Sequence, residues 1–265
     1  MKFVQTLLAA TLLGASGYAA AAPNWVGTAD YTAAPTASGD EETVGPFDTY
    51  DFARGVVLLE EDANDPTVYW GWYQSYVTNH ELSTLGVVTA PGLNTNYEIT
   101  VTAWFKEEVT GPNTFTLVDG GVKLWFDTTP DRNFDTDTGF KDDVILLEGS
   151  IIGGAGALFN LGTKSVGFTD LTVSVDSYNT SVFEPDTIAA GSSIFTLRLN
   201  DPSDATFLGQ IESVMGHSYD GTDIKLAADG YLVMQVPEAE TYAMMLAGLG
   251  LVGFMVSRRR SAAAL

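Results

Sequence analysis

The densest set of side chains able to do chemistry lies between Asp127 and Asp142, in the run Asp131-Arg132-Asn133-Phe134-Asp135-Thr136-Asp137-Thr138-Gly139-Phe140-Lys141-Asp142. Carboxylate and amide oxygens two residues apart, wrapped in one loop, are what a hard cation such as calcium requires. Numbered along a calcium loop, Asp131, Asn133, Asp135, Asp137 and Asp142 take positions one, three, five, seven and twelve, with Asp127 close before them. Thr136 stands where an EF-hand loop needs glycine, and Asp142 is shorter than the usual bidentate glutamate. No flanking helix is evident, so the expectation is a loop between strands. The competing reading is a solvated acidic turn, because Asp, Asn, Thr and Gly are common turn residues. The chain calls for no cofactor beyond this candidate calcium ion.

A second stretch, Tyr69-Trp70-Gly71-Trp72-Tyr73-Gln74-Ser75-Tyr76, is dense in aromatics. In a strand, alternate side chains share a face, so Trp70, Trp72 and Tyr76 lie together with Gln74. Such a row suits apolar contact with the C–H faces of sugar rings. The competing reading is that this face packs the core, as aromatics commonly do.

The remaining chemistry is sparse. There is no cysteine, hence no disulfide, thiol nucleophile or thiolate zinc site. His80 and His217 are the only histidines, and neither sits in an H-E-x-x-H motif. They read as surface or turn residues. No G-x-S-x-G elbow is present. The 34 acidic residues offer too many pairs for any one to be chosen as a glycosidase dyad. Thr100 and Thr102 are an isolated pair, without the threonine ladder that ice binding needs. Gly248, Gly250 and Gly253 spell G-x-G-x-x-G, but no strand, soluble helix and distal acid surround them. No catalytic residue is assigned, and the working class is non-enzymatic. The net charge is −22. Between residues 23 and 236, 8 basic residues face 32 acidic ones, about −24, a field that repels nucleic acid and anionic membranes.

The elements that must position these groups are strands. Residues 97–106 alternate cleanly, with Tyr97, Ile99, Val101, Ala103 and Phe105 on one face. Glu98, Thr100, Thr102, Trp104 and Lys106 fall on the other. Further strands are expected at 55–60, 68–77, 115–118, 122–127, 143–147, 165–177, 193–200, 207–214 and 231–236. Gly153-Gly154-Ala155-Gly156 reads as a turn between strands. Many short strands punctuated by Gly, Pro, Asn and Asp predict an all-β, antiparallel β-sandwich or jelly-roll-like domain over residues 51–236. Residues 23–50 are polar and read as a loose N-terminal segment. Residues 1–22 have Lys2, a short apolar run and Ala19 to Ala22, the pattern of a signal peptide that signal peptidase removes.

The C-terminal stretch has three parts in fixed order. Val236-Pro237-Glu238-Ala239-Glu240-Thr241 comes first, then an uncharged apolar run over 242–256, then Arg258, Arg259 and Arg260. The run suits one transmembrane helix, and the arginines stay on the cytoplasmic side. Fifteen residues span about 22 Å, short of a roughly 30 Å hydrocarbon core, which suits a temporary anchor. This order over 237–260 resembles the PEP-CTERM sorting signal, in which Pro-Glu-Pro precedes a membrane span and a basic tail. Pro237 and Glu238 match the first two positions, and Ala239 stands in place of the second proline. The signal is also described as the C-terminal domain of ice-binding proteins. The resemblance implies an inner-membrane-anchored precursor, cleavage by an exosortase, and transfer to the cell surface or extracellular matrix.

Three strand patterns also resemble the exported part of flocculation-associated PEP-CTERM proteins. They are Tyr73-Gln74-Ser75-Tyr76-Val77-Thr78, Leu124-Trp125-Phe126-Asp127 through Phe140, and Asp186-Thr187-Ile188-Ala189-Ala190-Gly191-Ser192-Ser193. That likeness implies retention of extracellular polysaccharide and aggregation of cells, as in flocs and biofilms. A carbohydrate-binding adhesin with a defined glycan site is the alternative, and a secreted hydrolase is the least favoured.

Overall fold

The computed structural model describes residues 24–160, 165–188, 192–199 and 205–236. The signal peptide, Pro237 to Thr241, the apolar run and the arginine tail lie outside them. Among the described residues no helix is long and apolar enough to cross a membrane.

In chain order the strands are β1 (Gly27–Asp30), β2 (Thr43–Phe47), β3 (Thr49–Asp62), β4 (Asp65–Leu82), β5 (Gly86–Val88), β6 (Glu98–Gly111) and β7 (Thr114–Asp127). They continue with β8 (Val144–Asn160), β9 (Ser165–Tyr178), β10 (Phe183–Glu184), β11 (Ser192–Leu199), β12 (Ser213–Val214), β13 (His217–Ser218) and β14 (Ile224–Val233). One helical turn, Ala205–Leu208, stands between β11 and β12.

The long strands form an antiparallel meander, and their pairing returns to its start. β3 pairs β4, β4 pairs β6, and β6, β7, β8, β9, β11 and β14 follow in turn. β14 then pairs β3. The sheet is closed through eight strands, with β5 added beside the end of β4. A closed sheet leaves no long edge, and eight strands enclose a space that side chains can fill. The all-β antiparallel expectation is met. The two layers expected of a sandwich are opposite sides of one curled sheet, whose inward faces supply a single core.

Alternation decides what enters that core. Tyr97, Ile99, Val101, Ala103 and Phe105 are buried, as their spacing predicts. On β4 it is Gly71, Tyr73, Ser75 and Val77 that face inward. Gly153 to Gly156 do not form a turn; they lie inside β8, paired with β7 and β9. Their neighbours explain the composition. A Cβ at Gly156 would lie 2.4 Å from the ring of Phe115, and one at Gly154 would lie 2.4 Å from the Asp170 carbonyl.

Residues 24–50 are not loose. β1 pairs β2 on one side and β10 on the other, making a three-stranded sheet across one end of the barrel. Trp25, Tyr31 and Phe47 are fully buried there. Trp25 meets Phe47 and Phe183 edge-on at 5.6 and 5.9 Å, and Tyr31 stacks on Phe126 at 5.8 Å. The polar composition between these three aromatics concealed the plug they form. His80 is part of it. Expected at the surface, it is fully buried, with Tyr31 Oη 2.6 Å from its Nε2.

Candidate functional site

The outward faces of β6 and β7 carry the chemistry. Register sets Thr102 opposite Lys123, Trp104 opposite Gly121, and Thr100 opposite Trp125. On the next strand Glu148 lies opposite Lys123, and Ser150 opposite Gly121. The result is a groove of about 300 Å³ flanked by Trp104 and Trp125, floored by Gly120, Gly121 and Gly149, and edged by polar groups. Gly121 is required for its shape, since a Cβ there would lie 2.9 Å from Trp104 Nε1.

Each wall is held in place. Trp125 Nε1 donates to Thr102 Oγ1 at 2.9 Å. Lys123 sits 5.8 Å from the Trp125 ring centre and pairs with Glu148 at 2.7 Å. Ser150 donates to Asp176 at 2.6 Å. Trp70 extends the row, stacking on Trp104 at 6.2 Å with its Nε1 donating to Asp62 at 3.0 Å. All three tryptophans keep part of their surface in water. Flat apolar faces beside carboxylates and a hydroxyl are suited to a ring that has C–H faces and equatorial hydroxyls.

Of the three aromatics expected to share a wet face, only Trp70 stays in this row. Trp72 is overlaid by His217, stacked at 3.6 Å and 12° between planes. Its Nε1 donates to Glu60, which also lies 3.3 Å from His217 Nδ1. Tyr76 is covered by the Arg132 guanidinium, 3.6 Å above its ring, and by Phe134. Both belong to a second layer over the outer face. There Val56, Leu58, Ile211 and Val214 form a small core, with Trp72, Phe134 and Phe207 packed on it. Periodicity identified the face but not what covers it. Trp104 and Trp125 were missed because they sit on different strands and meet only through register.

The acidic loop divides by task. Asn133 and Thr138 bond each other's backbones at 2.8 and 3.1 Å, closing a tight turn. The Asn133 side chain accepts from the Asp135 and Thr136 N–H groups. Asp137, at φ 55°, accepts from the N–H groups of Met215 at 3.0 Å and Gly216 at 2.6 Å. Asn133 and Asp137 are therefore engaged in folding, and Asp135 is exposed at the turn. The six expected ligands do not wrap one point.

What does converge is Asp127, Asp131 and Glu98, whose carboxylate oxygens lie within 4.8 Å of one another. Spacing alone did not find Glu98, which is buried on β6. It accepts from the N–H groups of Asp131 at 2.9 Å and Arg132 at 3.0 Å, and it pairs with the Arg132 guanidinium. Burial still pushes its carboxyl above the usual range, against the pull of Arg132. Asp127 is also raised, first by burial and then by Asp142, Asp131 and Asp143 around it. A divalent ion here would use Asp127 and Asp131 and compete with Arg132 for Glu98.

Residues 235–260 match the PEP-CTERM protein-sorting motif. The chain thus carries a PEP-CTERM sorting signal, which implies an exported protein with a membrane-anchored precursor handled by an exosortase. No curated protein and no solved structure matches the chain. The barrel reaches the motif without a spacer: Met234 and Gln235 are buried, and Val236 packs against the core.

Proposed function

We propose that the exported barrel is a non-enzymatic surface or matrix protein that holds extracellular polysaccharide, binding sugar rings in the groove between Trp104 and Trp125. The single observation that carries this reading is that groove: two part-exposed indoles separated by glycines, with Glu148, Ser150 and Asp176 along one side. In this reading the sorting signal delivers the groove to the polymer, and cohesion of flocs or biofilm follows from many such contacts. Glu148 pairs with Lys123 and Asp176 accepts from Ser150, an arrangement suited to binding hydroxyls.

The test is binding of the host's own exopolysaccharide to the wild type and to Trp104→Ala and Trp125→Ala. Each loss of a stacking face should weaken binding about tenfold, as expected when a well-packed aromatic contact worth 1–2 kcal/mol is removed. Unchanged binding in both variants overturns the groove. Binding to a single oligosaccharide on a glycan array, dependent on the same residues, selects the adhesin with a defined glycan site.

Calcium is the second contribution proposed, through Asp127, Asp131 and Glu98. It should raise the melting temperature in the wild type and not in Asp127→Asn/Asp131→Asn. A calorimetric titration without heat, together with an unmoved melting curve, removes calcium from the reading.

A further inference from the structure

At the end of the barrel opposite the β1–β2–β10 sheet lies a cavity that the groove does not use. It has a volume of about 150 Å³, and its apolar lining includes Leu59, Val109, Phe115, Leu158 and Ile224. That is the size of an engineered apolar cavity that accepts benzene. One carboxylate enters this lining, that of Glu107 on β6, which is 5% exposed. The same alternation that brings Ile99, Val101, Ala103 and Phe105 inward brings Glu107 inward after them. Among the described residues its carboxylate has neither a hydrogen-bond nor an ionic partner. A carboxylate in such a place is costly unless something pairs with it.

The surroundings define the missing partner. Tyr69, whose Oη lies 3.4 Å from Glu61, shares the lining. An adjoining hollow is lined by Leu59, Tyr69 and Ile224 together with Glu61, Asp220 and Asp223. Among the described residues, the lysines on and beside the cavity strands turn elsewhere. Lys106 lies over Trp70 on the outer face, and Lys225 lies over Tyr219 and bonds the Ile211 carbonyl. An apolar chamber with one unpaired carboxylate and an acidic approach excludes anions, and among the described residues it holds no counter-charge.

We infer that this cavity binds a small organic cation, a short aliphatic or single-ring ammonium whose apolar body fills the chamber and whose charge pairs with Glu107. The acidic approach raises the local concentration of cations, and the volume admits nothing larger than about one six-membered ring with a short arm. Burial raises the Glu107 pKa to about 7, so the carboxyl can ionise near neutrality when a cation arrives. This inference is independent of the sugar groove.

The probe is benzylammonium, with benzyl alcohol as its neutral counterpart of nearly equal shape. Both are titrated into the full-length chain in detergent at pH 8 and followed by ligand-observed saturation-transfer NMR. Benzylammonium should bind saturably and at least about tenfold more tightly than benzyl alcohol, the advantage expected of a charge-assisted hydrogen bond away from water. Glu107→Gln should remove that advantage while leaving the alcohol unchanged. Val109→Trp, at the rim, should weaken both probes by filling the chamber. No saturable binding to the wild type, equal affinity of the two probes, or an advantage that survives in Glu107→Gln would each overturn the inference. The comparison of the two probes on the wild type decides alone if a variant fails to fold.

Discussion

Two buried titratable groups give the barrel opposite responses to acid. Glu107 has its pKa raised by burial from 4.5 to about 7. Its folded form binds a proton more tightly than the unfolded chain, so its contribution is fully present below pH 4.5 and lost as pH rises through about 7. Its full size is on the order of 3 kcal/mol, using about 1.4 kcal/mol per pKa unit. His80 has the opposite sign. Burial lowers its pKa from 6.5 to about 3. The unfolded chain gains a proton on His80 below pH 6.5 while the folded one stays neutral, so stability falls with acid until about pH 3. The two oppose each other between pH 4.5 and 6.5. Urea unfolding of the wild type, Glu107→Gln and His80→Phe across pH 3 to 8 separates them. Glu107→Gln should be more stable than the wild type at pH 8 and show no loss between pH 6 and 8. His80→Phe, which keeps an aromatic ring near Phe47 and Tyr50, should flatten the loss below pH 6. Parallel curves for all three proteins would mean that neither group titrates in this way.

The element that decides what the outer face can do is the connection from the Ala205–Leu208 turn through β12 and β13. It is pinned at Met215, whose N–H is accepted by Asp137 and by the buried Gln74, and whose carbonyl accepts from Lys141. Asp137→Ala removes both acceptors from this turn, whereas Asp137→Asn removes the charge and one acceptor and keeps the other, because one carboxylate oxygen becomes an amide NH2. The first should cost about 1–3 kcal/mol in chemical denaturation and open Trp72 to acrylamide quenching as His217 lifts away; the second should cost less. Unaltered quenching in Asp137→Ala would show that Val214 and Ile211 hold the segment by packing alone. The same residue shows what a sequence can and cannot disclose. Its two-residue spacing from Asp135 is legible and suggests a ligand. Its real partners lie 78 and 79 residues away, where spacing says nothing. The strands were legible because alternation is a local signal, as Tyr97 through Phe105 illustrate. The pairing of Trp104 with Gly121 depends on register between strands, and the plug of Trp25, Tyr31 and Phe47 depends on three aromatics scattered through polar sequence. Gly153 to Gly156 looked like a turn because glycine marks turns, yet here it makes room for Phe115.

Across the whole molecule, the two ends of the described barrel meet. Asn24 pairs with Gln235, Trp25 N–H donates to the Met234 carbonyl at 3.0 Å, and the sorting motif begins at once beyond the packed barrel. Removal of residues 1–22 would leave the new N-terminus beside the start of the sorting motif. If residues 242–256 anchor the precursor as proposed, the plugged end of the barrel would face the bilayer and the cavity at Glu107 would lie at the far end. The strong negative charge should hold the barrel off an anionic surface, so in this proposal residues 242–256 alone would keep the precursor at the membrane. Cleavage near Pro237 should then release it completely. In the host, the mature protein should lack the mass of the apolar run and of Arg258 to Arg260 and should fractionate with the surface matrix. Pro237→Ala/Glu238→Ala should keep that mass and remain in the inner membrane. Because Val236 is packed on the core, a six-residue Gly-Ser insertion after it should preserve the fold and speed processing by giving the enzyme free chain to grip. An uncleaved tail in the wild type would make the anchor permanent, and the barrel would then act at the membrane surface with its far end alone facing the polymer.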